Sequence, residues 1–351
     1  MHTLRLAATA ASLLLVTASV HAAVVDGIDV RLTTASPVVQ GDVDVVVRVT
    51  ITNTNARPVV LHPWQLPGSE HDGSLFEVTR DGQPVPYTGA LVKRAAPGPR
   101  DMLRLNPGTT VSYDIELTAV YELEQNGRYD ITYRSGGVHA SQATPALQSD
   151  TLYLWLEGRT PQPSASAALA SQALAAAAGS ISFTGSCSAT RKTTLQNTVT
   201  AARSYAANAV TYLNGTPSTA RKRYVKWFGT PTTANWAVVK KNFTATQDAL
   251  NNKPLVLDCS CKQTGVYAYV YPSQPYKVYL CGAFWGAAMT GTDSKAGTLI
   301  HELTHFTVVA GTSDYAYGQS AAASLAISSP AKAIKNADSH EYFAENTPAL
   351  P

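Results

Sequence analysis

Two histidines four residues apart enclose a glutamate in His301-Glu302-Leu303-Thr304-His305. On a helix, residues four apart lie one turn apart on the same face, so both imidazoles can reach a single metal ion. The glutamate beside the first histidine can then address a water on that metal as general base. Zinc lowers the pKa of such a water from about 15.7 to about 7, which makes hydroxide available at neutral pH. The HExxH pattern therefore points to zinc-assisted hydrolysis of a peptide bond.

A catalytic zinc takes three protein ligands and keeps a fourth position open. The extended pattern with a third histidine would need Gly at 308 and His at 311, but the chain has Val308 and Gly311, which excludes it. The candidates for the third ligand are Asp314, His340, Glu341 and Glu345. Asp314 lies in Gly311-Thr312-Ser313-Asp314-Tyr315-Ala316-Tyr317-Gly318, where Gly311 lets the chain turn back toward the metal. A plain turn aspartate reads the same way. The alternative enzyme is gluzincin-like, with Glu341 or Glu345 as third ligand. Asp338 and Glu341, three apart, share a helix face. Two like charges in a pocket favour an arriving cation, although Asp-x-x-Glu also caps helices.

The elements that must position these groups are legible in outline. Asp293 or Ser294 can cap the HExxH helix, and Leu299, Ile300, Leu303 and Phe306 give it apolar periodicity. Leu195, Val199, Ala202, Ala206, Ala209 and Leu213 recur at helical spacing, as do Trp236, Val239, Phe243 and Leu250. Residues 265–271 and 276–280 read as strands. The region 181–351 is expected to be a mainly α, α+β, zincin-type domain. Residues 23–158 read as all-β, with strands over 43–51, 111–117, 129–133 and 152–156 and around Phe76. Asp81-Gly82, Asn106-Pro107-Gly108 and Asn126-Gly127 punctuate them. Strands at such spacing suggest an immunoglobulin-like sandwich. Between the two domains, residues 159–180 form a Pro-, Ala- and Ser-rich linker open to proteolysis.

Residues 1–22 read as a secretory signal peptide: Arg5, an apolar run from Leu6 to Val16, and Val20-His21-Ala22 as cleavage site. Export agrees with four cysteines, Cys187, Cys259, Cys261 and Cys281, as two disulfides. Cys259 and Cys261 are too close in an extended chain to pair with each other easily. No later apolar run has the length of a membrane span. The net charge of +3 over 351 residues, without basic blocks interleaved with aromatics, argues against nucleic acid as partner. A secreted non-catalytic binding protein is the reading from a different class; it predicts neither zinc nor proteolysis.

HExxH followed by Gly-Thr-x-Asp-x-x-Tyr-Gly resembles the signature of the aspzincins, the deuterolysin-like metallopeptidases. His301, Glu302, His305, Gly311, Thr312, Asp314, Tyr317 and Gly318 match it. Over roughly residues 181–351 the chain is similar to the peptidyl-Lys metalloendopeptidase branch of that family. The resemblance implies one zinc on His301, His305 and Asp314, with Glu302 as general base. Tyr317 would donate to the oxyanion of the tetrahedral intermediate. It also implies disulfides Cys187–Cys259 and Cys261–Cys281, and recognition of a substrate lysine by Asp338 and Glu341. Cleavage of protein or peptide substrates would then fall on the amino side of lysine. The N-terminal domain would be a pro-region acting as intramolecular inhibitor.

Lys93 is the only lysine before Lys192 and lies in an apparent loop, Gly89-Ala90-Leu91-Val92-Lys93-Arg94. It is expected to enter the lysine pocket and silence the precursor; the alternative is a solvated surface lysine. With no lysine between 93 and 192, a strictly lysine-directed enzyme could not cut its own linker: either its selectivity is loose, or another protease acts, near Arg159.

Overall fold

The computed structural model describes residues 23–67, 74–95, 102–135, 145–160 and 179–351. The expected signal peptide and most of the linker, 161–178, lie outside the described residues. The first half is β-rich. Its strands are β1 (Ala23–Val25), β2 (Ile28–Thr33), β3 (Val38–Gln40), β4 (Val46–Asn53), β5 (Val59–Leu61), β6 (Phe76–Arg80) and β7 (Gln83–Pro84). They continue with β8 (Leu91–Arg94), β9 (Leu103–Leu105), β10 (Thr110–Glu116), β11 (Gly127–Ser135), β12 (Leu147–Gln148) and β13 (Leu152–Glu157). One sheet has the order β1-β2-β4-β10 and a second the order β3-β13-β11-β6-β7. Alternation decides which side chains go inward: β4 buries Val47, Val49 and Ile51 and turns Val46 and Arg48 outward. Those three share one core with Val78, Tyr129, Ile131, Leu154 and Leu156 of the second sheet.

The second half is mixed α/β, with its helices outweighing the short strands of one sheet. Strands β14 (Ile181–Thr184), β15 (Leu255–Asp258) and β17 (Lys277–Leu280) run parallel, and β16 (Val266–Val270) is antiparallel to β17. The helices are α1 (Ala189–Leu213), α2 (Lys222–Phe228), α3 (Thr233–Asn252), α4 (Gly282–Gly286), α5 (Lys295–His305), α6 (Gln319–Ser328), α7 (Pro330–Ala333) and α8 (Ala337–Glu345). Ala202, Ala206 and Ala209 line the buried face of α1, where small side chains let neighbouring helices come close. Disulfides Cys187–Cys259 and Cys261–Cys281 are both formed.

The sheet of the second half does not end at β16. Strand β8 pairs antiparallel with it, so the sheet order is β14-β15-β17-β16-β8. The expected loop around Lys93 is thus a strand. Four residues bracketed by glycine and prolines carry too weak an alternation to announce one, and its hydrogen-bonding partner lies far along the sequence. An open edge strand presents a row of unpaired N–H and C=O groups, and β8 supplies their partners.

Candidate metal centre and active site

Helix α5 begins at Ser294, whose hydroxyl accepts the Gly297 N–H at 2.9 Å. Of the two expected caps, Ser294 serves. Asp293, just before it, adopts a left-handed φ of 50° that frees its carboxylate for another purpose. Glu345 on α8 accepts from both the N–H and the hydroxyl of Ser294, at 2.8 and 2.7 Å. This junction requires Gly297, because a Cβ there would run into the Glu345 carboxylate.

His301 and His305 are fully buried, with their Nε2 atoms 3.1 Å apart. Oδ1 of Asp314 lies 3.3 Å from the first and 3.4 Å from the second. Ligand atoms at roughly 2.0–2.1 Å from a tetrahedral centre are separated by about 3.3 Å, so these three donors fit the edges of a zinc tetrahedron. Neither oxygen of Asp314 has a hydrogen-bond partner in its buried setting among the described residues, which a cation would remedy. Burial raises the carboxyl's pKa, but His305 and His301 outweigh it and hold the pKa well below the usual range.

Asp314 arrives there because the chain reverses after α5. Gly311, at φ 58°, bonds back to the Phe306 carbonyl, and Thr312 to the Thr304 carbonyl. His305 Nδ1 donates to the Thr312 carbonyl at 2.9 Å, which turns Nε2 toward His301 and Asp314. Asn336 holds the next stretch: its Oδ1 accepts from the N–H groups of Tyr315 and Ala316 at 2.9 and 3.0 Å. Sequence reasoning gave Asn336 no role. An asparagine bonded to a distant backbone leaves no local pattern.

Glu302 is fully buried, and neither of its carboxylate oxygens has a hydrogen-bond partner among the described residues. Burial raises its pKa to about 7, against the opposing pull of His301 and His305. A carboxylate near 7 is suited to take and release a proton at neutral pH. Burial and the neighbouring Asp314 push the Tyr317 phenol well above its ordinary pKa, so it stays a proton donor.

Asp338 and Glu341 sit on the other side of His301. Oδ1 of Asp338 is 2.8 Å from His301 Nδ1, and its Oδ2 accepts the Gly318 N–H at 2.6 Å. Asp338 therefore lies against the ring of His301 and braces the loop that carries Tyr317. Into the space beside it comes Lys93, only 2% exposed. Its Nζ lies 2.7 Å from Glu341, 3.1 Å from Asp293 and 3.8 Å from Asp338. Burial alone would favour the neutral amine, but Glu341 and Asp338 hold it charged, well above an ordinary lysine. A solvated surface lysine is thus not what the structure contains. Asp293, read from sequence only as a cap, is a third acid on the ammonium; nothing local could place it opposite Glu341.

The remaining candidates for third ligand lie elsewhere. Glu341 approaches His301 through Nδ1, 3.3 Å away, on the side turned from His305. Glu345 is engaged with Ser294. His340 packs between Phe228 and Phe243 and bonds through Nδ1 to the Asn336 carbonyl at 2.9 Å.

Burial lowers the His340 pKa from 6.5 to about 4. The folded imidazole stays neutral while the unfolded one takes up a proton below about pH 6.5, so stability falls with pH between about 6.5 and 4. The full loss is about 3 kcal/mol. Urea midpoints should fall more steeply with acidification for the natural chain than for His340→Gln. Parallel curves would rule this out.

The lysine-specific metallo-endopeptidase model of the aspzincin family matches residues 212–345. An extracellular protease of Aeromonas hydrophila is 45% identical over 335 residues, 92% of this chain and 93% of the relative. A peptidyl-Lys metalloendopeptidase of Armillaria mellea is 38% identical over 340 residues, with the same coverage of 92% and 93%. A solved zinc peptidase from Grifola frondosa is 46% identical, covering 47% of this chain and all of that one, with a TM-score of 0.45. Among the described residues no helix is long and apolar enough to cross a membrane. Similarity at this level runs through both halves of the sequence, and the chain therefore belongs to the aspzincin family and is a zinc metalloendopeptidase.

Proposed function

We propose that the chain is an exported precursor, with residues 1–22 as signal peptide, whose mature form cuts proteins and peptides on the amino side of lysine. Residues 23–158 are its pro-domain, with an immunoglobulin-like arrangement, and 181–351 the peptidase, joined by the linker 159–180. The observation that carries the lysine preference is the ammonium of Lys93 set between Glu341, Asp293 and Asp338, at 2.7, 3.1 and 3.8 Å. Desolvated carboxylates of one sign are unfavourable together until a cation joins them. A substrate lysine in the same position satisfies the same acids.

In this reading His301, His305 and Asp314 hold one zinc. Bound there, zinc polarises the scissile carbonyl and acidifies a water. Glu302 takes the proton of the attacking water on its free carboxylate and passes it to the leaving amine. Tyr317, kept protonated, donates its hydroxyl hydrogen to the oxygen on which negative charge develops. Asp338, 2.8 Å from His301 Nδ1, lines the lysine pocket beside that histidine. The donor geometry favours Asp314 over Glu341 or Glu345 as third ligand, since only Asp314 stands near both Nε2 atoms.

The test is to cut the protein in its linker and incubate it with an unfolded lysine-containing protein, with and without a zinc chelator, mapping the new termini. Chelator-sensitive products that begin with lysine are expected. Chelator-sensitive cuts without lysine preference would return Asp338 and Glu341 to structural roles. Absence of both cuts and zinc would favour a non-catalytic binding protein.

A further inference from the structure

We infer that the enzyme reads a second substrate side chain, that of the residue immediately before the lysine. It would lodge on an apolar shelf formed by Tyr269, Tyr271, Tyr279 and the Cys261–Cys281 disulfide. The inference rests on the lysine-directed reading above and concerns the opposite face of the same sheet.

The pairing of β8 with β16 carries the argument. In an antiparallel pair, directly opposed residues project to the same face, and successive residues alternate. Lys93 stands opposite Ala268, and Val92 opposite Tyr269. Lys93 points to the acids, so Val92 points the other way. There it is 1% exposed and packs with Val266, Tyr269 and Cys281, flanked by Cys261, Tyr271 and Tyr279. Tyr269 and Tyr279 stack in parallel, with ring centroids 4.6 Å apart and planes 4° apart, and Tyr271 stands edge-on to both at 5.9 Å. The shelf is thus built by side chains of the peptidase half alone.

Withdrawal of β8 would uncover two surfaces together: the hydrogen-bonding edge of β16 and this shelf. An extended peptide satisfies both at once, because strand addition at a sheet edge supplies main-chain bonds while alternate side chains fill pockets. The lysine pocket sets the register, and a one-residue slip would exchange the faces. A register shift between Val266 and Ala268 leaves Tyr267 extra in β16, and its ring lies 5.1 Å from the Lys93 ammonium. Bulges re-aim side chains in this way beside active sites. With lysine seated among the acids, the preceding side chain has the shelf as its location. β-Branched and aromatic residues fit it. Glycine leaves it uncovered, and aspartate brings a charge onto an apolar surface.

The experiment uses the full chain cut in its linker and hexapeptides Ala-Ala-X-Lys-Ala-Ala, with X as Val, Ile, Tyr, Gly or Asp, and matched peptides with Ala for Lys. Ratios of kcat/KM between peptides do not depend on how much enzyme is still covered by β8. Val, Ile and Tyr are expected to exceed Gly by about tenfold, with Asp lower still. In Tyr269→Ala the Val-to-Gly ratio should fall toward one; Tyr271→Ala provides a second variant if the first does not fold. A flat series over X, with lysine still required, would overturn the shelf and leave the lysine reading standing. Cleavage indifferent to the lysine would overturn both.

Discussion

Glu302→Gln in the linker-cut protein is expected to lower kcat by about 10²–10⁴-fold while zinc content stays at that of the natural protein. The amide keeps the size of the side chain but cannot take a proton, and no other described group stands ready at the same place. Burial brings the Glu302 pKa to about 7, and neither carboxylate oxygen has a hydrogen-bond partner among the described residues. Asp314→Ala is expected to fail one step earlier. It removes the carboxylate that, among the described residues, approaches both histidine Nε2 atoms, at 3.3 and 3.4 Å, so zinc measured after dialysis should drop together with activity. Glu341→Gln should retain zinc and lose discrimination for lysine. Zinc retained in Asp314→Ala and lost in Glu341→Gln would reverse the assignment and restore the gluzincin-like arrangement.

On the proposed reading of the chain as an inhibited precursor, Lys93→Ala is expected to raise the activity of the uncut protein. Removing one partner of a buried ion pair costs about 3–5 kcal/mol, chiefly through the charge left behind without compensation. Here three carboxylates would be left facing one another once the ammonium is gone. That penalty falls on the covered state alone, because solvent reaches the acids when β8 leaves. The uncovered fraction of uncut protein should therefore rise by roughly 10²–10³-fold, read as peptidase activity before any cut in the linker. Lys93→Met separates charge from bulk: it keeps the unbranched stem and should release activity nearly as well as alanine. If neither variant is more active than the uncut natural chain, the ammonium of Lys93 does not hold the site closed, and the proposed inhibition would have to rest on the pairing of β8 along β16.

Both expectations depend on contacts of different sequence range. The spacing of His301, Glu302 and His305 is a statement about one helical turn, and the apolar rhythm around it identifies the helix that carries them. The longer strands β4, β10, β11 and β13 of the first half announce themselves by alternation, and α1 and α3 by three- and four-residue recurrence. The four cysteines carry their pairing through resemblance alone. All of these are short-range regularities or shared motifs, which a single chain displays openly.

Other features are set by the meeting of segments far apart. Asp293 faces the ammonium of Lys93 across 200 positions, through a left-handed backbone that its residue type does not advertise. Asp338 looks like half of an acid pair but also stands beside His301, because α8 packs against α5 where Gly297 has no side chain. His340, one of the metal-ligand candidates on residue type, is surrounded by aromatic rings and kept neutral. Above all, β8 is a strand only because β16 offers it an edge. Local propensity determined which residues could do the chemistry, whereas burial and long-range pairing decided which of them share a site and what now covers it.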